Sequence, residues 1–260
     1  MIRKAIPLML ALCAAACATS APDVRVEPVA VTIAVDDPQT KTLTATLYPP
    51  AGKGPFAGVV ILSGCFGVKF DAGMVERVNA SYLRAGIATL VVDSFTPRGI
   101  DEACSDPKLN FDSVRFRVKD AYAAVEWLAA RPDIDSKRIY LQGYSHGAVV
   151  AITTMDAQWP RARFPAVAGV VAFYPWCSAT TKLRVPTLVL IGESDDWTPA
   201  KLCREIVDKS NLRITTYPLV QHGFAAPGRD MTYLGHRLLY DDAAAQDALR
   251  RALQFIQAGE

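Results

Sequence analysis

Short apolar runs bounded by turn residues constrain this chain most. Residues 57–62 read AGVVIL, 87–92 read IATLVV, and 186–191 read PTLVLI. A strand that is apolar at nearly every position is buried on both faces, which is the habit of parallel sheets. Between the runs lie segments of helical period. Asp71 stands before Val75, Val78, Tyr82 and Leu83, which share one face of a helix that stops at Gly86. Phe111, Val114, Val118, Ala121, Val125 and Leu128 recur at three- and four-residue steps up to Pro132. Strands are expected at 138–142, 166–173 and 212–217, and helices at 146–155 and 242–258. Thr198-Pro199 offers an N-cap and first position for a further helix reaching about Lys209. Two earlier strands, 24–35 and 42–48, are less apolar and read as antiparallel and partly exposed. Strand–helix alternation of this kind predicts an α/β fold, a mostly parallel central sheet with helices on both faces. Ligands in such sheets bind beyond the carboxyl ends of the strands, so chemistry is sought in the loops there.

The chain has 260 residues, 51% of them hydrophobic and 21% charged. That suits one large domain, expected over residues 22–260. Lys and Arg number 28 against 26 Asp and Glu, with no polybasic run, which argues against a nucleic-acid partner. The three histidines, His146, His222 and His236, are not at metal-ligand spacing, and no cysteine pair reads C-x-x-C, so no metal site is expected.

The first 21 residues read as a signal peptide. Arg3 and Lys4 precede an apolar stretch, 5–16, too short to span a bilayer as a helix. Two cleavage readings stay open. One is ordinary cleavage near Ala18 or Ala21. The other is a lipoprotein signal, with Ala14-Ala15-Ala16 before Cys17 and a lipid anchor on that cysteine. Either makes the protein exported: periplasmic, secreted or lipid-anchored to the cell envelope. Cys65, Cys104, Cys177 and Cys203 then read as disulfide candidates.

Gly143-Tyr144-Ser145-His146-Gly147 is a G-x-S-x-G pattern placed between an expected strand and an expected helix. That is the context of a nucleophile elbow, where a sharp turn exposes the serine at the top of the sheet. A serine hydroxyl needs an adjacent base. His222, just after the last strand, is the candidate. Asp195, after the strand at 186–191, is the candidate for fixing its tautomer. Asp196 competes with Asp195 for that part, and His146 and His236 fit the base less well. Acyl transfer also needs N–H donors for the oxyanion. The backbone of His146 and of Cys65, in the loop after the strand at 57–62, would supply them. Cys65 as nucleophile is a rival reading without an elbow or an evident base.

Residues 40–258 resemble the dienelactone hydrolase family of α/β-hydrolases. The matching pieces are SGCFG, VVDSFTPRG, GYSHG, GESDDWTP and QHGF. In the family's aspartate motif a proline follows the acid by four positions, so Pro199 selects Asp195. The resemblance implies cofactor-free hydrolysis of a small ester or lactone. The namesake enzymes carry cysteine at the position of Ser145, so a serine esterase is the expectation here. They also bind a substrate carboxylate through arginine, which loosely points to Arg98; an ordinary loop arginine is the other reading. Phe66 and Trp197, with Trp176 and Phe224, flank the loops as candidate pocket walls. In the strand order the resemblance implies, neighbouring strands bring Cys65 to Cys104 and Cys177 to Cys203. A peptidase or thioesterase with the same triad, and a non-catalytic envelope binding protein, are the competing functions.

Overall fold

The computed structural model describes residues 27–159 and 166–259 of the chain. The signal-peptide and lipid-anchor readings lie outside the described residues. An eight-stranded sheet forms the centre, in the order β1-β2-β4-β3-β5-β6-β7-β8. Its strands are β1 (Val29–Ala34), β2 (Thr42–Tyr48), β3 (Phe56–Leu62), β4 (Ile87–Asp93), β5 (Ile134–Tyr144), β6 (Gly169–Phe173), β7 (Thr187–Gly192) and β8 (Leu212–Tyr217). β2 runs antiparallel to both β1 and β4, and every pairing from β4 through β8 is parallel. All residues of β6 and β7 are buried. Successive side chains of a strand point to opposite faces, so both faces are covered, as the apolar runs require.

The helices are α1 (Ala72–Arg84), α2 (Pro107–Ala129), α3 (His146–Thr154), α4 (Ala200–Arg204) and α5 (Asp242–Ala258). Close packing selects glycine beneath two of them. A Cβ at Gly58 would come within 2.7 Å of Leu128 on α2, and one at Gly169 within 2.8 Å of Phe255 on α5. No helix among the described residues is long and apolar enough to cross a membrane.

Several sequence expectations need correction. Asp71 precedes α1, but its side chain makes no capping bond. Its carboxylate accepts from the Gly64 N–H at 2.9 Å and from Arg229 at 3.0 Å instead. Phe111, counted on the apolar face of α2, is 69% exposed. The expected helix to Lys209 ends at Arg204, because the Val207 N–H turns away to the Ala179 carbonyl. Pro199, not Thr198, stands at its N-cap, since the Thr198 hydroxyl is engaged elsewhere. A hairpin of β9 (Asp230–Tyr233) and β10 (His236–Leu239) occupies a stretch for which the sequence suggests no element.

Candidate active site

Ser145 sits between the end of β5 and the start of α3, with φ 51° and ψ −119°. This is a backbone conformation that L-residues avoid and functional sites often hold. The residues two positions away on either side must be glycine. A Cβ on Gly143 would lie 2.1 Å from the Gly147 carbonyl oxygen, and one on Gly147 would lie 2.2 Å from that of Leu62. The turn is thus pressed against itself and against β3, and the Ser145 N–H is fixed on the Phe173 carbonyl at 2.9 Å.

The loops after β7 and β8 are stitched together. The Glu193 N–H donates to the Tyr217 carbonyl and that of Ser194 to Val220. The approach is so close that a Cβ at Gly192 would sit 2.1 Å from the Val220 oxygen. This brings Asp195 beside His222. Nδ1 of His222 lies 2.8 Å from Oδ2 of Asp195, and Nε2 lies 3.0 Å from Oγ of Ser145. Both partners of the ion-pair geometry are buried. Asp195 also accepts from the backbone N–H groups of Trp197 at 3.0 Å and Thr198 at 2.8 Å, and from the Thr198 hydroxyl at 2.9 Å. With Nδ1 facing a carboxylate, that nitrogen carries the proton and Nε2 offers its lone pair to the serine. Asp196 points elsewhere, 3.3 Å from Nδ1 of His236, whose ring stacks on Trp197. His236 therefore sits near the site, brought there by the hairpin, but outside the hydrogen-bonded chain.

Cys65 and His146 line a common cleft with Ser145. The His146 side chain is buried and engaged from behind. Its Nδ1 lies 2.7 Å from Nη1 of Arg117, and its Nε2 lies 2.7 Å from the Asn110 carbonyl. Burial, then the Arg117 charge, push its pKa down to about 3. Cys65 is bonded to Cys104, and Cys177 to Cys203. The first bridge anchors the loop after β3, and the second holds α4 beside the segment after β6.

Arg98 is not a ligand arginine here. Its side chain is fully buried, paired through two nitrogens with Asp120 at 2.9 Å, with Asp37 at 3.5 Å and Phe116 against it. Burial raises the Asp120 pKa against the opposing pull of Arg98. The cation thus answers a buried carboxylate rather than a ligand. Phe224 is likewise core, packed on Tyr174 and Tyr217. Phe66 and Trp197 do line the recess beside Ser145. So do Asp71, read from the sequence only as a helix cap, and Arg229, which follows Phe224-Ala225-Ala226-Pro227-Gly228 with no motif of its own. Among the described residues no three His, Cys, Asp or Glu side chains gather where they could share a metal ion.

A mostly parallel sheet with Ser, Asp and His following β5, β7 and β8 defines an α/β-hydrolase fold. A family model, the dienelactone hydrolase family, matches residues 43–259. The chain belongs to that family. Among solved structures it is similar to a dienelactone hydrolase-like promiscuous phosphotriesterase from metagenomic libraries. That likeness has TM-score 0.72 and 17% identity, over 89% of this chain and 98% of the other. It is also similar to esterase 2 of Thermogutta terrifontis, with TM-score 0.65 and 17% identity over 88% and 92% of the two chains. An uncharacterized protein of Mycobacterium tuberculosis is 28% identical over 179 residues, 62% of this chain. The match spans 60% of that relative's length.

Proposed function

We propose that the protein hydrolyses small carboxylic esters or lactones through an acyl-Ser145 intermediate, outside the cytoplasm. The observation that carries this is the continuous chain Asp195–His222–Ser145, at 2.8 and 3.0 Å, ending on a strained serine. Nε2 of His222 takes the proton from Oγ as the serine attacks the ester carbonyl. Asp195 holds the imidazole and stabilises the imidazolium. The N–H groups of His146 and Cys65 receive the oxyanion, and His222 returns the proton to the leaving oxygen. Water then repeats the sequence to release the acid. Thr198 and the two backbone donors hold the Asp195 carboxylate in place while the charge on His222 changes. The two disulfides are consistent with an exported protein.

Labelling with a fluorophosphonate probe tests the reading. Modification of Ser145, lost in Ser145→Ala, with turnover of p-nitrophenyl acetate, supports it. An unlabelled, inactive wild type would overturn it and favour a binding protein.

A further inference from the structure

Two spaces meet at Ser145, and they differ in size and character. One is a cleft of about 470 Å³, within the range of small-molecule sites, ~300–1,000 Å³. Its apolar lining comes from Phe111 and Val114 on α2, Val149 on α3, and Trp159, Trp176 and Trp197. The spacing explains the wall: His146, Val149 and Thr153 share one face of α3, at three- and four-residue steps. Phe111 and Trp176 are exposed, large apolar side chains on this cleft. Of the polar groups along it, His146 is engaged with Arg117 and the Asn110 carbonyl, and Thr198 with Asp195, while Arg115 borders the cleft as well. The other space is a recess of about 10 Å³ by the same measure, lined by His222, Asp71, Arg229 and Tyr174 among others. That is room for about one water molecule.

Building on the acyl-enzyme reading above, we infer that the two spaces divide the ester, with a bulky apolar acyl group in the large cleft and a small alcohol in the recess. The division follows from His222. The leaving oxygen must lie against its Nε2, and His222 borders the recess but not the large cleft. The acyl group, which never receives that proton, takes the cleft walled by α2 and α3. When the alcohol departs, the same recess admits the hydrolytic water to Nε2. The substrate class is therefore esters of medium-chain or aryl acids with the smallest alcohol, that is, methyl esters. Each methylene seated in the cleft is worth about fourfold in kcat/KM by transfer from water.

Two isomers separate this from the reverse arrangement. Methyl octanoate and heptyl acetate share one formula and a similar hydrophobicity, but place the chain on opposite sides of the ester. The wild-type protein is expected to favour methyl octanoate by about tenfold or more in kcat/KM. Val149→Phe, which narrows the cleft, should pull that ratio toward one. Equal turnover of the isomers, or preference for heptyl acetate, overturns the division while leaving ester hydrolysis standing. So does a ratio unmoved by Val149→Phe. Failure to turn over either ester, with Ser145 unlabelled, overturns the hydrolase reading as well.

Discussion

Arg117 places Nη1 2.7 Å from Nδ1 of His146 and Nη2 2.7 Å from the carbonyl oxygen of Ser63. One buried guanidinium thereby ties the residue after Ser145 to the loop after β3. A guanidinium only donates, so Nδ1 of His146 is the acceptor. The proton sits on Nε2 and is given to the Asn110 carbonyl. The imidazole is neutral by construction.

That tautomer has a consequence for stability against pH. Folded His146 resists protonation down to about 3, whereas an unfolded histidine takes a proton near ~6.5. Between these values the unfolded chain binds the extra proton, so stability is full above about pH 6.5 and falls as pH drops toward 3. The loss amounts to a few kcal/mol, roughly, across that window. Thermal melts of wild type and His146→Gln at pH 7 and 4.5 check this. The variant should lose less on acidification than the wild type.

Asp195→Asn should lower kcat by about 10³- to 10⁴-fold, because an amide cannot favour the Nδ1–H tautomer. Asp196→Asn should stay within about twofold, since that carboxylate faces His236 rather than His222. Thr198→Val should fall between the two, having removed one hydrogen bond to Asp195. Steady-state kinetics on one ester rank all three, and the reverse order for the aspartates would move the acid by one residue.

Arg98→Ala should unfold the protein more readily without a specific change in KM. It would leave the Asp120 carboxylate, fully buried, without its cation, at a cost of about 3–5 kcal/mol. Urea titration measures the loss. A large rise in KM with unchanged stability would restore a ligand-binding part for this arginine.

Reducing the disulfides should lower both stability and turnover. The chain-entropy account gives about 3.5 kcal/mol for the loop closed by Cys177–Cys203 and about 4 for that closed by Cys65–Cys104. Cys65→Ala with Cys104→Ala should cost more activity than the other double variant, because its bridge borders Ser145 while Cys177 and Cys203 do not. Denaturation and ester assays with and without reductant test both statements.

What the sequence made legible was whatever depended on burial or on a tight turn. β2, β8 and α5 match their expected bounds, β3 and β4 differ by one residue at an end, and β7 is shifted by one residue, because apolar runs and strong periodicity mark them. The elbow glycines and the order Ser145, Asp195, His222 were equally plain. The hairpin was not, since β9 and β10 are four residues each and mostly half-exposed. Arg98 misled because its partner Asp120 lies 22 residues away on α2, a pairing no local pattern announces. Asp71 has the residue type of a helix cap, but its carboxylate is claimed by Gly64 and Arg229 across the fold. Tertiary competition for a side chain leaves no trace in spacing.

The segment Ser63–Gly64–Cys65 is held from every side. Arg117 takes the Ser63 carbonyl, Asp71 takes the Gly64 N–H at 2.9 Å, and Cys65 is bonded to Cys104 while its carbonyl receives the Ala103 N–H at 2.8 Å. Loops of this kind ordinarily surrender conformational freedom when a ligand arrives, and affinity suffers by that amount. Here the ordering was completed when the chain folded. A ligand entering beside Ser145 meets walls already at rest, so the entropy of binding should carry no large unfavourable contribution from this stretch of backbone.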